Sequence, residues 1–391
     1  MSRDFPTLSR RHVLQGAGIG AAALTLAACS DSGPVRPSAA TDNSETQKAV
    51  RIDSWETYRN TTDEDFPSVE RFAGSFGVDV TYTSAVKDDN LYYNQVKANL
   101  AAGNDIGADA VVLSQPMVAR WVQLGYLQEF TKSRMPNVEN VRTWQGFRDV
   151  AFDPGRRFSL PWRSGFTGIA WNKEAIPEGL NLVSQLWDPS LKGKVGVMSS
   201  MQSTIGLLMA DAGVDISSPD WGEVEFSAAV EFLRQQVTSG QIERIKGNQY
   251  LDDLKTGDTI AAFARSADIL RLNEEAGDQW EFAIPHNGGV LWTQDIVIPI
   301  GSQRRTHVEN FVNYYYNPDV AVEVSAKTHF VSPVEIRDQV VNTVPAEVSS
   351  NVVVFPTPVT LQKSKAFRHL SSADEQQFMA KYQTVLLAAG G

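Results

Sequence analysis

The side chains that most often carry out enzyme chemistry are few and scattered in this chain of 391 residues. The five histidines share no catalytic or metal-ligand spacing: His12, His286, His307, His329 and His369. No G-x-S-x-G, H-E-x-x-H or C-x-x-C motif occurs. Because an enzyme of this size would usually show a nucleophile with its base, or a metal cluster, the sequence disfavours an enzyme.

The only cysteine, Cys29, has a chemistry of its own. A single cysteine cannot form an internal disulfide, and Cys29 directly follows an apolar run over residues 13–28. That run is shorter than the roughly 20 residues that span a bilayer, and it is typical of the apolar region of a signal peptide. Its end, Leu26-Ala27-Ala28-Cys29, resembles the bacterial lipobox, in which the cysteine thiol is acylated with diacylglycerol and becomes the new N-terminus.

Two adjacent arginines, Arg10 and Arg11, precede the apolar run and resemble the twin-arginine export signal. We therefore predict a signal peptide over residues 1–28 and a lipid anchor at Cys29. The mature protein is expected on the outer face of the cytoplasmic membrane, or in the periplasm.

The segment after the signal peptide and the net charge of the chain give two further expectations. Residues 29–47 are rich in Ser, Pro, Asp and Thr and predict a flexible tether, because they hold too few large apolar side chains to form a core. The formal net charge is -11, without blocks of lysine and arginine. The sequence therefore excludes nucleic acid as a partner, because its phosphate backbone requires basic patches.

The remainder alternates predicted strands with predicted helices. Alternating or continuous apolar residues predict strands over 49–55, 78–83, 108–113, 167–171, 194–198 and 259–263. Helical spacing predicts helices over 66–76, 91–102, 204–212 and 226–239. This order favours α/β lobes with mostly parallel sheets, which bind ligands in crevices at the carboxyl ends of their strands.

Six segments, in one order, resemble the spermidine/putrescine-type substrate-binding proteins of ABC importers. They are WETY from Trp55, GADAVVLSQPMVARWVQLGYLQEF from Gly107, FDPGRRFSLPWRSGFTGIAWNK from Phe152, LWDPSLKGKVGV from Leu186, GGVLWTQDIVIPIGS from Gly288 and NFVNYYYNPDVAVEV from Asn310. The resemblance implies a type II periplasmic-binding-protein fold, with two α/β lobes joined by two crossovers. It places one lobe at 48–164 plus 293–345, and the other at 165–292 plus 346–391. It further implies a monomer without cofactor or catalysis, which delivers a small solute to a permease and its ATPase.

The same resemblance marks the residues of a ligand cleft. Polyamine binding needs aromatic faces for the methylene chain and carboxylates for the ammonium groups. The resemblance places Trp55, Tyr58 and Trp292 in the cleft. The acidic positions of the family, however, align with Ser200, Ser203 and Gln294.

Two arginines change the expected charge of the cleft. Arg163 and Arg265 have the wrong sign for a dication, and a guanidinium suits a carboxylate or phosphonate. Ser114 and Gln115 could complete hydrogen bonds to the solute. The sequence therefore favours an anionic or zwitterionic solute.

Several alternatives remain open at this stage. The arginines could instead face solvent, or pair with neighbours such as Asp268 or Asp295. A polyamine would still bind if a shifted alignment let Asp53, Glu56 or Asp295 supply the missing carboxylates. Ferric-ion binders of similar fold use neighbouring tyrosines, but the run at 314–316 matches a packing helix of the polyamine-type family. No metal is therefore expected.

Overall fold

The strands predicted from hydrophobic periodicity are present, but the one predicted at 167–171 begins at Ser159, and four further strands of the described residues were not predicted. The computed structural model describes residues 36–55, 67–143, 147 and 149–389. Its strands are β1 (Ala49–Trp55), β2 (Asp79–Val86), β3 (Ala110–Ser114), β4 (Ser159–Asn172), β5 (Val195–Met198), β6 (Ile242–Lys246), β7 (Ala261–Arg265), β8 (Trp280–Ala283), β9 (Gly289–Val297) and β10 (Ser364–Ala366). The predicted strand over 49–55 coincides with β1.

The predicted helices are present as well. The helices are α1 (Pro67–Phe76), α2 (Asp89–Ala102), α3 (Gln115–Leu124), α4 (Met201–Asp211), α5 (Glu223–Thr238), α6 (Tyr250–Thr256), α7 (Ser266–Ala276), α8 (Arg305–Tyr315), α9 (Pro318–Thr328), α10 (Arg337–Thr343), α11 (Ala346–Ser349), α12 (Pro358–Lys363) and α13 (Ser372–Ala388). Short 3-10 helices cover Lys132–Arg134, Pro136–Asn140, Val183–Trp187 and Pro189–Leu191. Within the described ranges, none of the helices is both long enough and apolar enough to cross a membrane.

Helix α2 shows how local sequence sets the ends of an element. The Asp88 carboxylate caps its N-terminus by accepting hydrogen bonds from the backbone N–H groups of Asn90 and Leu91, both at 2.9 Å. Gly103 ends the helix with φ of 71°, a left-handed conformation that costs glycine little. These two signals fix the position of Asp89, the first residue of the helix.

Two long strands connect the two ends of a mixed sheet. The strand order is β2-β1-β3-β9-β4-β7-β5-β6, with β10 beside β9 and β8 beside β4. The pairs β1–β2, β1–β3, β5–β6 and β5–β7 are parallel, as the alternation of strands and helices predicts. Strands β4 and β9 pair with each other in antiparallel orientation, and β3 and β7 join them in the same way.

Strands β4 and β9 also pass through both hydrophobic cores. Leu160 and Ile296 belong to the first core, which includes Val50, Ile52, Phe72, Phe311 and Val312. Ile169 and Val290 belong to the second, which includes Val195, Val197, Phe226, Val230 and Phe263. Each end of the sheet therefore has a core of its own, and the two crossing strands connect them.

The prediction of a flexible tether over residues 29–47 is wrong for residues 36–47. The backbone N–H of Ala40 donates to the carbonyl of Ile300 at 3.0 Å, and that of Asn43 donates to Gln303 at 2.6 Å. The Asp42 carboxylate accepts a hydrogen bond from the backbone N–H of Thr306 at 3.2 Å. Composition showed that the segment lacks a core of its own, but not that its polar groups pair with a distant loop. Residues 29–35 lie outside the described part.

Candidate functional site

An aromatic group lies where the two cores meet. Trp55 ends β1, Trp292 lies in β9 and Phe330 follows α9, and all three pack around the buried Ala267. The rings of Trp292 and Phe330 meet edge to face with centroids 5.8 Å apart. Two of the predicted aromatic residues are thus together, whereas Tyr58 lies outside the described residues.

A glycine on the neighbouring strand makes room for Trp292. Gly165 of β4 lies opposite Trp292 in the sheet register. A Cβ atom at Gly165 would lie 2.5 Å from the indole ring, which is closer than van der Waals contact allows. Only glycine at this position lets the tryptophan lie flat against the strand.

The two indole N–H groups have no acceptor among the described residues. Both Trp55 Nε1 and Trp292 Nε1 are buried without a hydrogen-bond partner in that part of the chain. A buried donor without an acceptor costs about 1–3 kcal/mol.

Arg265 adds a positive charge beside the aromatic group. It ends β7, and its guanidinium carbon lies 5.7 Å from the centre of the Trp292 ring. Its Nη1 donates to the Asn248 side-chain oxygen at 3.2 Å, and its backbone N–H donates to the Tyr250 hydroxyl at 3.2 Å. Across the part of the chain that the structure describes, Arg265 forms no ion pair. The alternative that it pairs with Asp268 or Asp295 is therefore wrong for this residue.

Arg163 lies deeper and already has polar partners. It is only 6% exposed, and its Nε donates to the Gln294 side-chain oxygen at 2.9 Å. Its Nη2 donates to the Ser54 hydroxyl at 3.1 Å, and the guanidinium carbon lies 5.3 Å from the Phe330 ring. Two predicted site residues, Arg163 and Gln294, are thus bonded to each other beneath the aromatic group.

Ser114 and Gln115 lie together with a carboxylate that the sequence reasoning missed. The Ser114 hydroxyl donates to the Asp89 carboxylate, and its backbone N–H donates to the same group at 3.4 Å. Burial raises the pKa of Asp89 to about 6, while the hydrogen bonds from Ser114 and the charge of Arg265 act in the opposite direction. The signal for Asp89 was its place at the first turn of a helix that directly follows a strand of a parallel sheet.

The predicted serines at the start of α4 bond mainly to each other. The Ser200 hydroxyl donates to the Ser203 hydroxyl at 3.2 Å, and the Thr167 hydroxyl donates to Ser203 at 3.4 Å. Ser203 is 5% exposed, whereas Ser200 is half-buried. Of the two, Ser200 is therefore the better placed to contact a ligand.

The carboxylates considered as substitutes for the missing acids have other partners. Asp295 is fully buried, and its carboxylate accepts a hydrogen bond from Arg156 at 2.5 Å and one from Gln115 at 3.5 Å. Asp53 accepts from the Thr83 hydroxyl at 2.5 Å and from the Tyr92 hydroxyl at 2.7 Å. Asp295 is therefore already neutralised by the buried Arg156, and two hydroxyl groups already hold Asp53. Glu56 is outside the described residues.

The run of tyrosines packs in the first core, as the sequence comparison indicates. The Tyr316 hydroxyl donates to the carbonyl of Pro161 at 2.5 Å, and the Tyr315 hydroxyl lies 2.9 Å from that of Ser68. Among the residues described, no three His, Cys, Asp or Glu side chains converge into a metal site.

Comparisons with known proteins agree with this architecture. The spermidine/putrescine-binding periplasmic protein of Salmonella typhimurium is 22% identical over 298 residues, covering 76% of this chain and 81% of that protein. The crystal structure of a spermidine/putrescine ABC transporter substrate-binding protein from Streptococcus pneumoniae superposes with a TM-score of 0.72 at 17% identity, covering 88% of this chain and 100% of that one. The structure of AgtB from A. tumefacien R10, in complex with agropinic acid, gives 0.66 at 19% identity, covering 87% and 98%. These likenesses confirm the predicted α/β fold of the periplasmic binding proteins.

The family match covers most of the site as well as most of the fold, although Trp55 lies outside it. Residues 68–354, well over half of the chain, match the family described as bacterial extracellular solute-binding protein. The matched range contains the site residues Asp89, Arg265 and Trp292 and both crossing strands, β4 and β9. The chain therefore belongs to the bacterial extracellular solute-binding proteins, a family of non-enzymatic proteins that bind small solutes outside the cytoplasm.

Proposed function

We propose that this protein is the substrate-binding lipoprotein of an ABC importer of the spermidine/putrescine type. It captures a small solute between two lobes and delivers it to a membrane permease driven by an ATPase. The similarity to a spermidine/putrescine-binding protein and to an ABC transporter substrate-binding protein supports the transport class.

The proposed lobes are 48–164 plus 293–345 and 165–292 plus 346–391. Two of their three boundaries fall on the crossing strands, where Ser164 of β4 lies opposite Thr293 of β9. The presence of one hydrophobic core on each side of this point supports these two boundaries. Val354 and Phe355 pack in the first core, which opposes the third boundary at 345/346.

The solute carries at least one anionic group. The observation that supports this most directly is Arg265, which lies over Trp292 and has no carboxylate partner in the described part of the chain. A guanidinium in that setting favours a carboxylate or phosphonate. The AgtB complex with agropinic acid is a case in which a protein of similar fold holds an organic acid.

A true polyamine carrier is the second candidate. The names of the similar proteins favour it, and Asp89 is a carboxylate near the aromatic group. The charges of Arg265 and Arg163 oppose it, because a dication in the same space would be repelled.

The charge of the solute is tested by calorimetric titration with spermidine, putrescine, amino acids, opines, phosphonates and dicarboxylates. We expect an anionic or zwitterionic solute to bind and the polyamines not to bind. Arg265→Gln should weaken binding roughly tenfold to hundredfold, because a charge-assisted hydrogen bond contributes about 1.5–3 kcal/mol.

The matched control is Arg234→Gln, which removes an equal charge from the exposed face of α5, where Arg234 pairs with Glu231. It should leave the affinity unchanged. Micromolar binding of spermidine that survives Arg265→Gln would overturn the anionic proposal in favour of the polyamine carrier.

Closure of the two lobes gives a further prediction. Contacts shared between lobes exist only when the cleft is closed, so a ligand that makes them shifts the population towards the closed form. Solution X-ray scattering should therefore show a smaller radius of gyration when the solute found by calorimetry is present at saturation. An unchanged radius would contradict closure about the crossing strands.

The protein is exported and lipid-anchored in this proposal. Arg10 and Arg11 would direct export, and Cys29 would carry the lipid. All three residues lie outside the described part, so the support comes from the order and spacing of the two motifs in the sequence.

A further inference from the structure

We propose that the solute is a zwitterion, bound with its anionic group on Arg265 and its cationic group on Asp89. This inference rests on the proposed solute-binding function. It narrows the solute from any anion to one that carries both charges, and it makes Asp89 a specificity-determining residue.

Asp89 has the free capacity to accept a cation. From the described residues, its carboxylate accepts two hydrogen bonds, both from Ser114, whereas a carboxylate offers about four acceptor positions. Asp89 as a residue is half-buried, whereas Asp295 is fully buried. Asp88, the adjacent acid, is instead exposed and used by the N-terminus of its own helix.

Arg265 has the complementary capacity. A guanidinium has five N–H donors in a planar fork. One nitrogen of Arg265 bonds to Asn248, and one face lies towards the Trp292 ring. The remaining donors can form the paired hydrogen bonds by which arginine binds a carboxylate.

The two opposite charges are near each other but not in contact. Ser114, which holds Asp89, lies opposite Gln294 in the register of β3 and β9. Gln294 lies two residues from Trp292 on the same strand, and Arg265 lies over the Trp292 ring. Yet they form no ion pair with each other, because Ser114 holds one side chain and Asn248 holds the other. The two residues belong to opposite ends of the sheet, since α2 follows β2 and Arg265 ends β7.

This arrangement distinguishes three kinds of solute by charge. A diamine satisfies Asp89 but is repelled by Arg265. A dicarboxylate satisfies Arg265 but is repelled by Asp89. A solute with one ammonium and one carboxylate group satisfies both, and it also connects the two ends of the sheet.

The test uses solutes that share a carbon chain and differ only in charge. Putrescine, 4-aminobutyrate and succinate each have a four-carbon chain, and the same three types exist with two to six carbons. Calorimetric titration of the full mature protein should show that an ω-amino acid binds at least about tenfold more tightly than the diamine or dicarboxylate of its length.

Two variants should shift the relative affinities for the diamine and the dicarboxylate in opposite directions. Asp89→Asn keeps the shape and an acceptor for Ser114, and it should shift the preference towards the dicarboxylate. Arg265→Gln should shift it towards the diamine. Asp88→Asn is the matched control, because it removes the same charge one residue away and keeps a good helix cap, so the order should stay that of the wild type.

The ranking of the three solute types by their affinity for the wild-type protein tests the zwitterion inference without any variant. If a dicarboxylate binds more tightly than every ω-amino acid, the zwitterion inference is wrong, while the proposed anion-binding function stands. If a diamine is preferred and Arg265→Gln does not change its affinity, both are wrong. Failure of every ω-amino acid to bind also overturns the inference.

Discussion

Arg156→Leu should lower the free energy of unfolding by about 3–5 kcal/mol, because it leaves Asp295 as a buried carboxylate without its counter-charge. The Arg156 side chain is 2% exposed and Asp295 is 0% exposed, and their charged atoms lie 2.5 Å apart. Burial raises the pKa of Asp295, and the Arg156 charge acts against that rise. The guanidinium also donates to the carbonyl of Phe147 at 3.0 Å and to the Ser159 hydroxyl at 3.2 Å, and these bonds are lost too.

Urea denaturation followed by tryptophan fluorescence measures this change. The matched control is the same substitution at the next residue, Arg157. Arg157→Leu removes a pair with Glu129 in which both side chains are more than half exposed, so its cost should stay within about 1 kcal/mol.

A second variant separates lost charge pairing from lost packing. Adding Asp295→Asn to Arg156→Leu removes the unpaired charge and should recover part of the stability. A cost for Arg156→Leu no larger than that for Arg157→Leu would contradict a stabilising buried pair.

Cys29→Ser should move nearly all of the protein from the membrane fraction to the soluble fraction. A buried methylene group contributes about 0.8 kcal/mol to membrane binding, so two acyl chains attach a protein stably, and serine has no thiol to carry them.

Fractionation of cells and the intact mass of the mature chain together check this result. The wild-type mature chain should begin at Cys29 and carry the mass of the lipid. Ser32→Ala is the control, because it changes a small side chain just beyond the cleavage position and should stay with the membrane. A wild-type chain that starts elsewhere, or that carries no lipid mass, would contradict the lipobox prediction.

Local sequence patterns were sufficient for several elements of the fold, although they did not predict β6, β8, β9 or β10. The strand over residues 49–55 and the helix ended by Gly103 follow from periodicity and capping, which act between residues a few positions apart. The parallel strand pairs at the two ends of the sheet could also be predicted. Two parallel strands need a crossover connection, which is usually a helix, so an alternation of strands and helices indicates parallel pairing. The order of the family segments then indicated the way in which the ends connect.

The sequence also determined part of the site. Trp55, Trp292 and Arg265 were predicted near one another from the resemblance, and the structure brings the two tryptophans into one aromatic group with Arg265 beside it. Their roles in binding a solute stay predictions. The loss of the family's acids at Ser200, Ser203 and Gln294 could likewise be seen in the sequence alone.

Only the tertiary structure decided which charges have partners. Asp295 was a candidate carboxylate until the fold placed Arg156, 139 residues away, against it. Asp89 was not among the predicted site residues, and only the fold showed that it bonds to Ser114. Residues 36–47 likewise changed from an expected tether to a segment bonded to the loop around Gln303. The physical reason is the same in all three cases: a side chain's charge state and accessibility depend on groups far away in the chain, and local periodicity carries no information about them.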